Sequence, residues 1–190
     1  MKALILVDIQ NDFLPGGALA VPRGNEVIAV ANQLMEKFEL VIATQDWHPA
    51  NHVSFALWPV HCVQGSSGAE LAAELNIKKI KTVIQKGTDA TLDSYSGFFD
   101  NEHRKTTGLH EILQHHGVNE IYVMGLATDY CVKFTALDAR QLGYTVKLVT
   151  DGCRGVELNP GDVEKSLAEM KAAGVEMVSS EEVKKIKVES

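Results

Sequence analysis

Short runs of apolar residues, many of them β-branched, alternate along the chain with segments in which apolar residues recur every three or four positions. The runs predict β-strands and the recurring pattern predicts amphipathic helices. Strands are expected over residues 3–7, 40–43, 82–84, 121–124, 146–149 and 175–178. Helices are expected over residues 25–38, 69–75, 108–116, 132–142 and 162–173, with a frayed helical end over 181–190.

This alternation predicts the fold class. Strands that alternate with helices favour an α/β fold, here one six-stranded parallel sheet with helices on both faces. The 190 residues contain no repeat and no linker, so we expect a single domain over 1–190. In such sheets, ligands bind beyond the carboxyl ends of the strands, where the strand order reverses. Functional side chains are therefore expected just after strands.

Composition excludes several classes of protein. The chain is 45% hydrophobic and 23% charged, which is typical of a globular protein, and its net charge of −7 disfavours binding to nucleic acid. The first apolar run ends at Asp8 and is too short for a signal peptide, and no stretch reaches the roughly 18–20 apolar residues that a membrane span needs. We expect a cytoplasmic protein with free cysteines and no membrane role. The pattern leaves open whether it forms a homo-oligomer.

The segment after the second predicted strand is rich in groups that bind metal ions. One aspartate and three histidines lie there: Asp46, His48, His52 and His61. Two imidazoles and a carboxylate leave coordination positions open for water or substrate, as in catalytic metal sites. The alternative is that these histidines only cap turns or pack beside neighbouring tryptophans. Zinc, iron(II) and manganese all suit nitrogen and oxygen ligands, so these residues leave the identity of the divalent ion open.

Three more reactive side chains follow other predicted strands. Asp8 ends the first, Lys86 follows the third, and Cys131 lies in the first turn of the helix after the fourth. The positive end of a helix favours a thiolate, so the sequence predicts a lowered pKa and a nucleophilic role for Cys131. The main-chain amides of Ala127 and Cys131 are candidates for holding a developing oxyanion. Taken singly, each residue also has an ordinary structural explanation, but all of them lie at the same predicted edge of the sheet.

Six blocks of the sequence match known motifs in order: VDIQNDF, DWHPANH, WPVHCVQG, QKG, YSGF and GLATDYCV. Together they span most of the chain, and they resemble the nicotinamidases within the isochorismatase-like cysteine hydrolases. The resemblance implies a catalytic triad and one divalent metal. The triad would be Asp8, Lys86 and Cys131, and the metal ligands would be Asp46, His48 and His61, with His52 left open as a direct or outer-shell group.

The resemblance also implies a substrate and its binding site. Phe13, Trp58 and Tyr95 match the aromatic lining around the substrate ring, and a non-proline cis peptide is expected just before Ala127. The implied reaction is the hydrolysis of nicotinamide to nicotinate and ammonia in NAD salvage, with pyrazinamide as a further substrate. Asp8 would be the base, kept ionised by Lys86.

Three other functions stay open from the residues alone. A cysteine amidase acting on a carbamoyl or ureido substrate would need the triad but not the metal ligands. A non-haem Fe(II) enzyme would need two histidines and a carboxylate but neither Cys131 nor Lys86. A non-catalytic binding protein on the same fold would need none of them. Isochorismatases share the implied fold but lack the nucleophilic cysteine.

Overall fold

Six parallel strands form the centre of the computed structural model, which describes residues 1–186. They are β1 (Lys2–Val7), β2 (Leu40–Asp46), β3 (Thr82–Lys86), β4 (Glu120–Leu126), β5 (Thr145–Arg154) and β6 (Glu176–Val178). Their order across the sheet is β3-β2-β1-β4-β5-β6. The predicted six-stranded parallel α/β fold is therefore confirmed. The strand order reverses between β1 and β4, which are neighbours in the sheet.

Five α-helices accompany the strands over the described residues: α1 (Glu26–Met35), α2 (Leu109–His115), α3 (Lys133–Gln141), α4 (Asp162–Ala172) and α5 (Ser180–Lys184). The apolar positions of α1, such as Val27, Ala31 and Leu34, are fully buried, as their spacing predicts. In β1 and β4 nearly every side chain is buried, because helices cover both faces of a parallel sheet. This double burial explains the unbroken apolar runs in the sequence.

The helix predicted over 69–75 is wrong. Only a single 3₁₀ turn, Ser67–Ala69, forms there. The backbone that follows pairs with the chain beyond β1: Asn11 donates its N–H to the carbonyl of Glu70, and Ala72 donates to the carbonyl of Ile9. These hydrogen bonds to a distant segment replace the helical ones, while the apolar side chains that suggested a helix still reach the core.

Four strands continue beyond the ends that their sequence patterns indicate. β2 continues to Asp46, β3 to Lys86, β4 to Leu126 and β5 to Arg154. Asp46 and Lys86 are paired in register as the last residues of β2 and β3. Two charged side chains that the sequence places in loops therefore stand side by side on the rigid edge of the sheet.

The C-terminal prediction is confirmed only in part. Helix α5 begins with a capping box in which Ser179 and Glu182 bond each other's backbone N–H groups, so this end is a defined helix rather than a frayed one. Residues 187–190 of the predicted helical end lie outside the described residues. Over 1–186, no helix combines the length and apolar character needed to cross a membrane. All three cysteines are free.

Candidate active site

The structure brings the residues predicted from strand ends to one cleft beside the β1–β4 boundary. The cleft is partly open to solvent, and Phe13, Trp58 and Tyr95 are among the residues that line it. Its lining is largely apolar and aromatic, with three groups suited to chemistry: Asp46, His61 and Cys131. Asp8 and Lys86 lie beneath this lining, fully or almost fully buried.

Lys86 is the centre of the polar cluster. Its Nζ lies 2.5 Å from Oδ1 of Asp46, 2.8 Å from the carbonyl oxygen of Ser94 and 3.5 Å from Sγ of Cys131. The same nitrogen is 2.9 Å from Oδ2 of Asp8. One ammonium group thus contacts both carboxylates and the thiol that the sequence singled out.

Burial and charge act in opposite directions on Lys86. Burial alone would lower the pKa of this lysine, but Asp46 and Asp8 raise its pKa well above the ordinary value. Burial likewise favours a raised pKa for Asp46, yet Lys86 and His48 together hold the pKa of that carboxyl below its usual range. Lys86 is therefore a fixed positive charge and Asp46 a fixed negative one.

The predicted lowering of the Cys131 pKa is wrong. Complete burial raises the pKa of this thiol well above its ordinary value, and Asp8 and Asp46 add to the increase, while Lys86 only opposes it. Burial also raises the pKa of Asp8 against the attraction of Lys86, so the lysine does not hold this carboxyl below its ordinary range. Desolvation exceeds the favourable charge effects at both groups. The thiol therefore needs a neighbouring base to remove its proton.

Cys131 lies in a wide helical turn, Thr128–Val132, that connects β4 to α3. The carbonyl of Ala127 accepts hydrogen bonds from the N–H groups of Tyr130 and Val132, which closes this turn. The peptide bond between Leu126 and Ala127 is cis, as expected. Ala127 and Cys131 both line the cleft.

Asp46, His48 and His61 form a group of candidate metal ligands. One ligand atom from each lies within 4.8 Å of the others, and all three residues are buried. Nδ1 of His48 is 2.8 Å from the carbonyl oxygen of Gly87, and Nδ1 of His61 is 2.7 Å from that of Pro59. Since a carbonyl only accepts, each Nδ1 carries a proton, and in the neutral form of each ring Nε2 has the lone pair that a metal ion would take. This arrangement fits a divalent cation.

Gly87 is required for this arrangement. The residue has a φ of +61°, and a Cβ at this position would lie 2.4 Å from the ring of His48. Any side chain would therefore displace the imidazole. The glycine that follows β3 lets its carbonyl approach His48 and orient the ring.

His52 has a different environment. Its Nδ1 is 2.6 Å from the hydroxyl of Ser54, its Nε2 is 3.2 Å from the carbonyl oxygen of Leu92, and its ring stacks on that of His48 at 3.9 Å. Both ring nitrogens therefore have protein partners. His52 also belongs to a second group of candidate ligands, with His48 and Asp93.

The three predicted aromatic residues all line the cleft: Phe13, Trp58 and Tyr95. Trp58 donates its indole N–H to the hydroxyl of Tyr95 over 3.2 Å, which fixes the two rings relative to each other. Tyr130 packs edge-on against Trp58, with ring centroids 5.1 Å apart. The cleft can therefore hold a flat ring between aromatic walls.

Several residues of the site were not predicted. The cleft is also lined by Leu19, Val21, Asp93, Leu126, Tyr130 and Val156. Tyr130 sits beside Cys131 in the recognised block, so its position in the sequence was a usable signal. Val21 and Val156 come from loops, and nothing in their local sequence indicates that they line the cleft. Thr44 and Gln10, which contact Asp8 and Asp46, are polar residues at strand ends and could have been found by that rule.

Comparison with known proteins places the chain among enzymes. A family model described as Isochorismatase domain matches residues 2–182. The Nicotinamidase of Escherichia coli strain K12 is 52% identical over 196 residues, covering 91% of this chain and 92% of that protein.

Solved structures give a similar result. A protein from L. infantum, solved in complex with nicotinate, superimposes with a TM-score of 0.91 at 41% identity and covers 95% of this chain and 93% of its own. The pyrazinamidase of Pyrococcus horikoshii, solved in complex with zinc, has a TM-score of 0.84 at 43% identity, with 94% and 98% of the two chains covered.

Proposed function

The chain belongs to the isochorismatase family, and we propose that it hydrolyses nicotinamide to nicotinate and ammonia through a thioester on Cys131. The observation that carries this proposal is the meeting of a thiol, a carboxylate and an ammonium at the base of an aromatic cleft. Lys86 Nζ lies 3.5 Å from Sγ of Cys131 and 2.9 Å from Oδ2 of Asp8. The strong similarity to nicotinamidases supplies the substrate.

The first half-reaction forms the thioester. Asp8 takes the proton of Cys131 as sulfur attacks the carboxamide carbon, so that no free thiolate has to persist in the buried site. The amides of Ala127 and Cys131 bind the oxyanion of the tetrahedral intermediate, and Lys86 stabilises its charge. The C–N bond then breaks as Asp8 returns its proton to nitrogen, and ammonia leaves.

The second half-reaction consumes water. Asp8 removes a proton from a water molecule that attacks the thioester carbon. The C–S bond breaks, the proton returns to sulfur, and nicotinate leaves. The carboxylic acid proton passes to ammonia, so the sum is one nicotinamide and one water converted to nicotinate and ammonium, with the thiol regenerated. Phe13, Trp58 and Tyr95 hold the ring throughout.

Asp46, His48 and His61 would hold the divalent ion, because their free ligand atoms converge and Nδ1 of each histidine is fixed by a carbonyl. A bound ion supplies a Lewis-acid position that suits the ring nitrogen of nicotinamide. Zinc is our first choice, supported by the zinc complex of a similar pyrazinamidase. His52 supports the ring of His48 from behind, since its own nitrogens are engaged by Ser54 and Leu92.

The rival within the same fold is an amidase for carbamoyl or ureido substrates. Its chemistry uses the same triad but gives no reason for three converging metal ligands in the cleft. A non-haem Fe(II) enzyme would leave the contact between Cys131 and Lys86 without a purpose. Hydrolysis of nicotinamide is therefore favoured over both alternatives. Its place in NAD salvage follows from its substrate, and the cytoplasmic location stays a prediction.

A substrate panel tests the proposal. Ammonia release by the purified, zinc-loaded protein should be fast with nicotinamide, substantial with pyrazinamide and negligible with an N-carbamoyl amino acid. Turnover should not depend on oxygen. Preference for the carbamoyl compound would contradict the proposal, as would consumption of O₂.

A further inference from the structure

Thr44, on β2, makes two hydrogen bonds to Asp8 and is itself fully buried. Its Oγ1 lies 2.6 Å from Oδ1 of Asp8 and 3.2 Å from the backbone nitrogen of the same residue. Neither residue is exposed to bulk solvent. These contacts join the proposed base to the neighbouring strand.

The direction of both hydrogen bonds is fixed by chemistry. A backbone N–H only donates, so Oγ1 of Thr44 must accept from Asp8 N. The one hydrogen of the hydroxyl is then directed at Oδ1 of Asp8. Oδ1 must therefore accept, and a proton on that oxygen would face the hydroxyl hydrogen.

The other carboxylate oxygen has a different environment. Nζ of Lys86 has hydrogen-bond contacts to Asp46, the carbonyl of Ser94 and Cys131. Oδ2 of Asp8 lies 2.9 Å from that nitrogen as an ion pair, and no hydroxyl or backbone N–H faces this buried oxygen. It is the oxygen with free capacity for a proton.

Local backbone geometry explains why the N–H of Asp8 bonds to a side chain. The ladder between β1 and β2 ends at the pair Leu6 and Ala43, and Asp8 turns out of the strand with a φ of +48°. Its N–H therefore bonds to a hydroxyl instead of a carbonyl. Thr44 is held in place by its methyl group, because Cγ2 packs so closely on Gly97 that a Cβ there would lie 2.9 Å away.

We propose that Thr44 is the positioning residue of the base: its hydroxyl keeps Oδ1 of Asp8 as an acceptor and reserves Oδ2 for the proton of Cys131. This inference rests on the proposed function, because it assigns the proton transfer to Asp8. Thr44 contacts no substrate. It acts only by giving the carboxylate one productive oxygen and one orientation.

Two pairs of variants test the hydroxyl. Thr44→Val keeps the shape and removes the hydroxyl, whereas Thr44→Ser keeps the hydroxyl and removes the methyl. Thr44→Val should lower kcat for nicotinamide roughly tenfold to a hundredfold, less than the loss of an acid–base group itself, with KM changed less than about twofold. Thr44→Ser should stay within about threefold of the wild-type kcat. If Thr44→Val fails to fold, Thr44→Ala replaces it, because Ala and Ser differ only in the hydroxyl.

A double-mutant cycle shows whether Thr44 acts through Asp8. In the Asp8→Asn background, removing the Thr44 hydroxyl should cause almost no further loss of kcat. An equal loss in both backgrounds would overturn the inference and make Thr44 a general structural residue, as would a wild-type kcat for Thr44→Val. If Asp8→Asn alone keeps wild-type activity, the assignment of the base fails instead, which separates the two hypotheses.

Discussion

The side chains that perform the proposed chemistry are almost entirely removed from water. Asp8 and Lys86 have 0% and 2% of their surfaces exposed, and Cys131 has 7%. Burial of this kind strengthens every charge interaction and raises the pKa of both the thiol and the base. The sequence could place these residues at strand ends. It could not show how deeply they are buried, which is why the predicted lowering of the thiol pKa is wrong.

Asp8→Asn tests the base at this scale. The variant keeps the shape and the contact with Thr44 but removes the proton acceptor, so kcat should fall by roughly 10²–10⁴-fold. Activity of the wild type should fall on the acidic side as Asp8, with its raised pKa, gains a proton. This acidic limb should be missing from the residual activity of Asp8→Asn. Ammonia release measured across pH checks both points, and an unchanged profile in the variant would rule out Asp8 as the base.

At the scale of elements, the cleft is closed by loops that long-range hydrogen bonds hold in place. The loop after β5 is the clearest case: Asp129 accepts the N–H of Val156 over 2.9 Å and that of Glu157 over 2.8 Å. Val156 lines the cleft. Asp129 is buried and lies two residues before Cys131, so one turn carries both the proposed nucleophile and the residue that holds one wall of the cleft.

Asp129→Asn should therefore weaken substrate binding more than it slows chemistry. The amide can satisfy only one of the two backbone N–H groups, and losing one hydrogen bond of roughly 1 kcal/mol corresponds to an increase in KM of about fivefold. We expect kcat to fall less than KM rises. Asp162→Asn is the matched control, since Asp162 accepts the N–H of Asn159 near the start of α4 without touching the cleft. Equal kinetic effects of the two substitutions would contradict this role of Asp129.

Sequence patterns predicted regular elements better than these loops. The spacing of apolar residues was sufficient to predict α1, and the continuous apolar run was sufficient to predict β4, because the burial of both elements follows their local periodicity. The sequence predicts a helix over 69–75, a segment in which Leu71, Ala72 and Leu75 are apolar. Its backbone partners lie about sixty positions earlier, at residues such as Ile9. No local pattern contains that information.

For the whole molecule, topology explains why one site collects residues from four strands. After β1 the chain crosses to β2 on one side, and after β4 it crosses to β5 on the other side. The two connections therefore diverge at the carboxyl ends of β1 and β4 and leave a crevice between them. Asp8 follows β1 and Cys131 follows β4, while β2 and β3 add Asp46 and Lys86 from the same edge. The strand-end rule therefore predicted the location of the site. The strand order itself is set by packing of the complete chain.

Metal binding should stabilise the whole fold, since the ligands come from β2 and from the long loop after it. A bound ion at a hundredfold excess over its Kd contributes roughly 2.7 kcal/mol, which corresponds to a rise in Tm of about 5–10 °C for a domain of this size. Thermal unfolding with zinc and with a chelator checks this. His48→Ala should lose the zinc-dependent rise in Tm. His110→Ala should keep it, because His110 is a histidine of α2 that is hydrogen-bonded to Tyr144.

The same ion should determine which ring is accepted. Benzamide lacks the ring nitrogen that nicotinamide and pyrazinamide share, so it should be a poor substrate of the zinc-loaded protein. The contrast should disappear in the chelated protein and in His48→Ala, where only ring packing remains. Comparable kcat/KM values for benzamide and nicotinamide in the loaded protein would show that the ion does not position the ring.

Ammonia release from nicotinamide by the wild type and by Cys131→Ala tests the central claim most directly. Cys153→Ala is the control, because that thiol is also buried but does not line the cleft, and it donates to the carbonyl of Val149. We predict rapid release by the wild type and by Cys153→Ala, and none above background by Cys131→Ala with its fold intact by circular dichroism. Near-normal release by folded Cys131→Ala would contradict a thioester on Cys131.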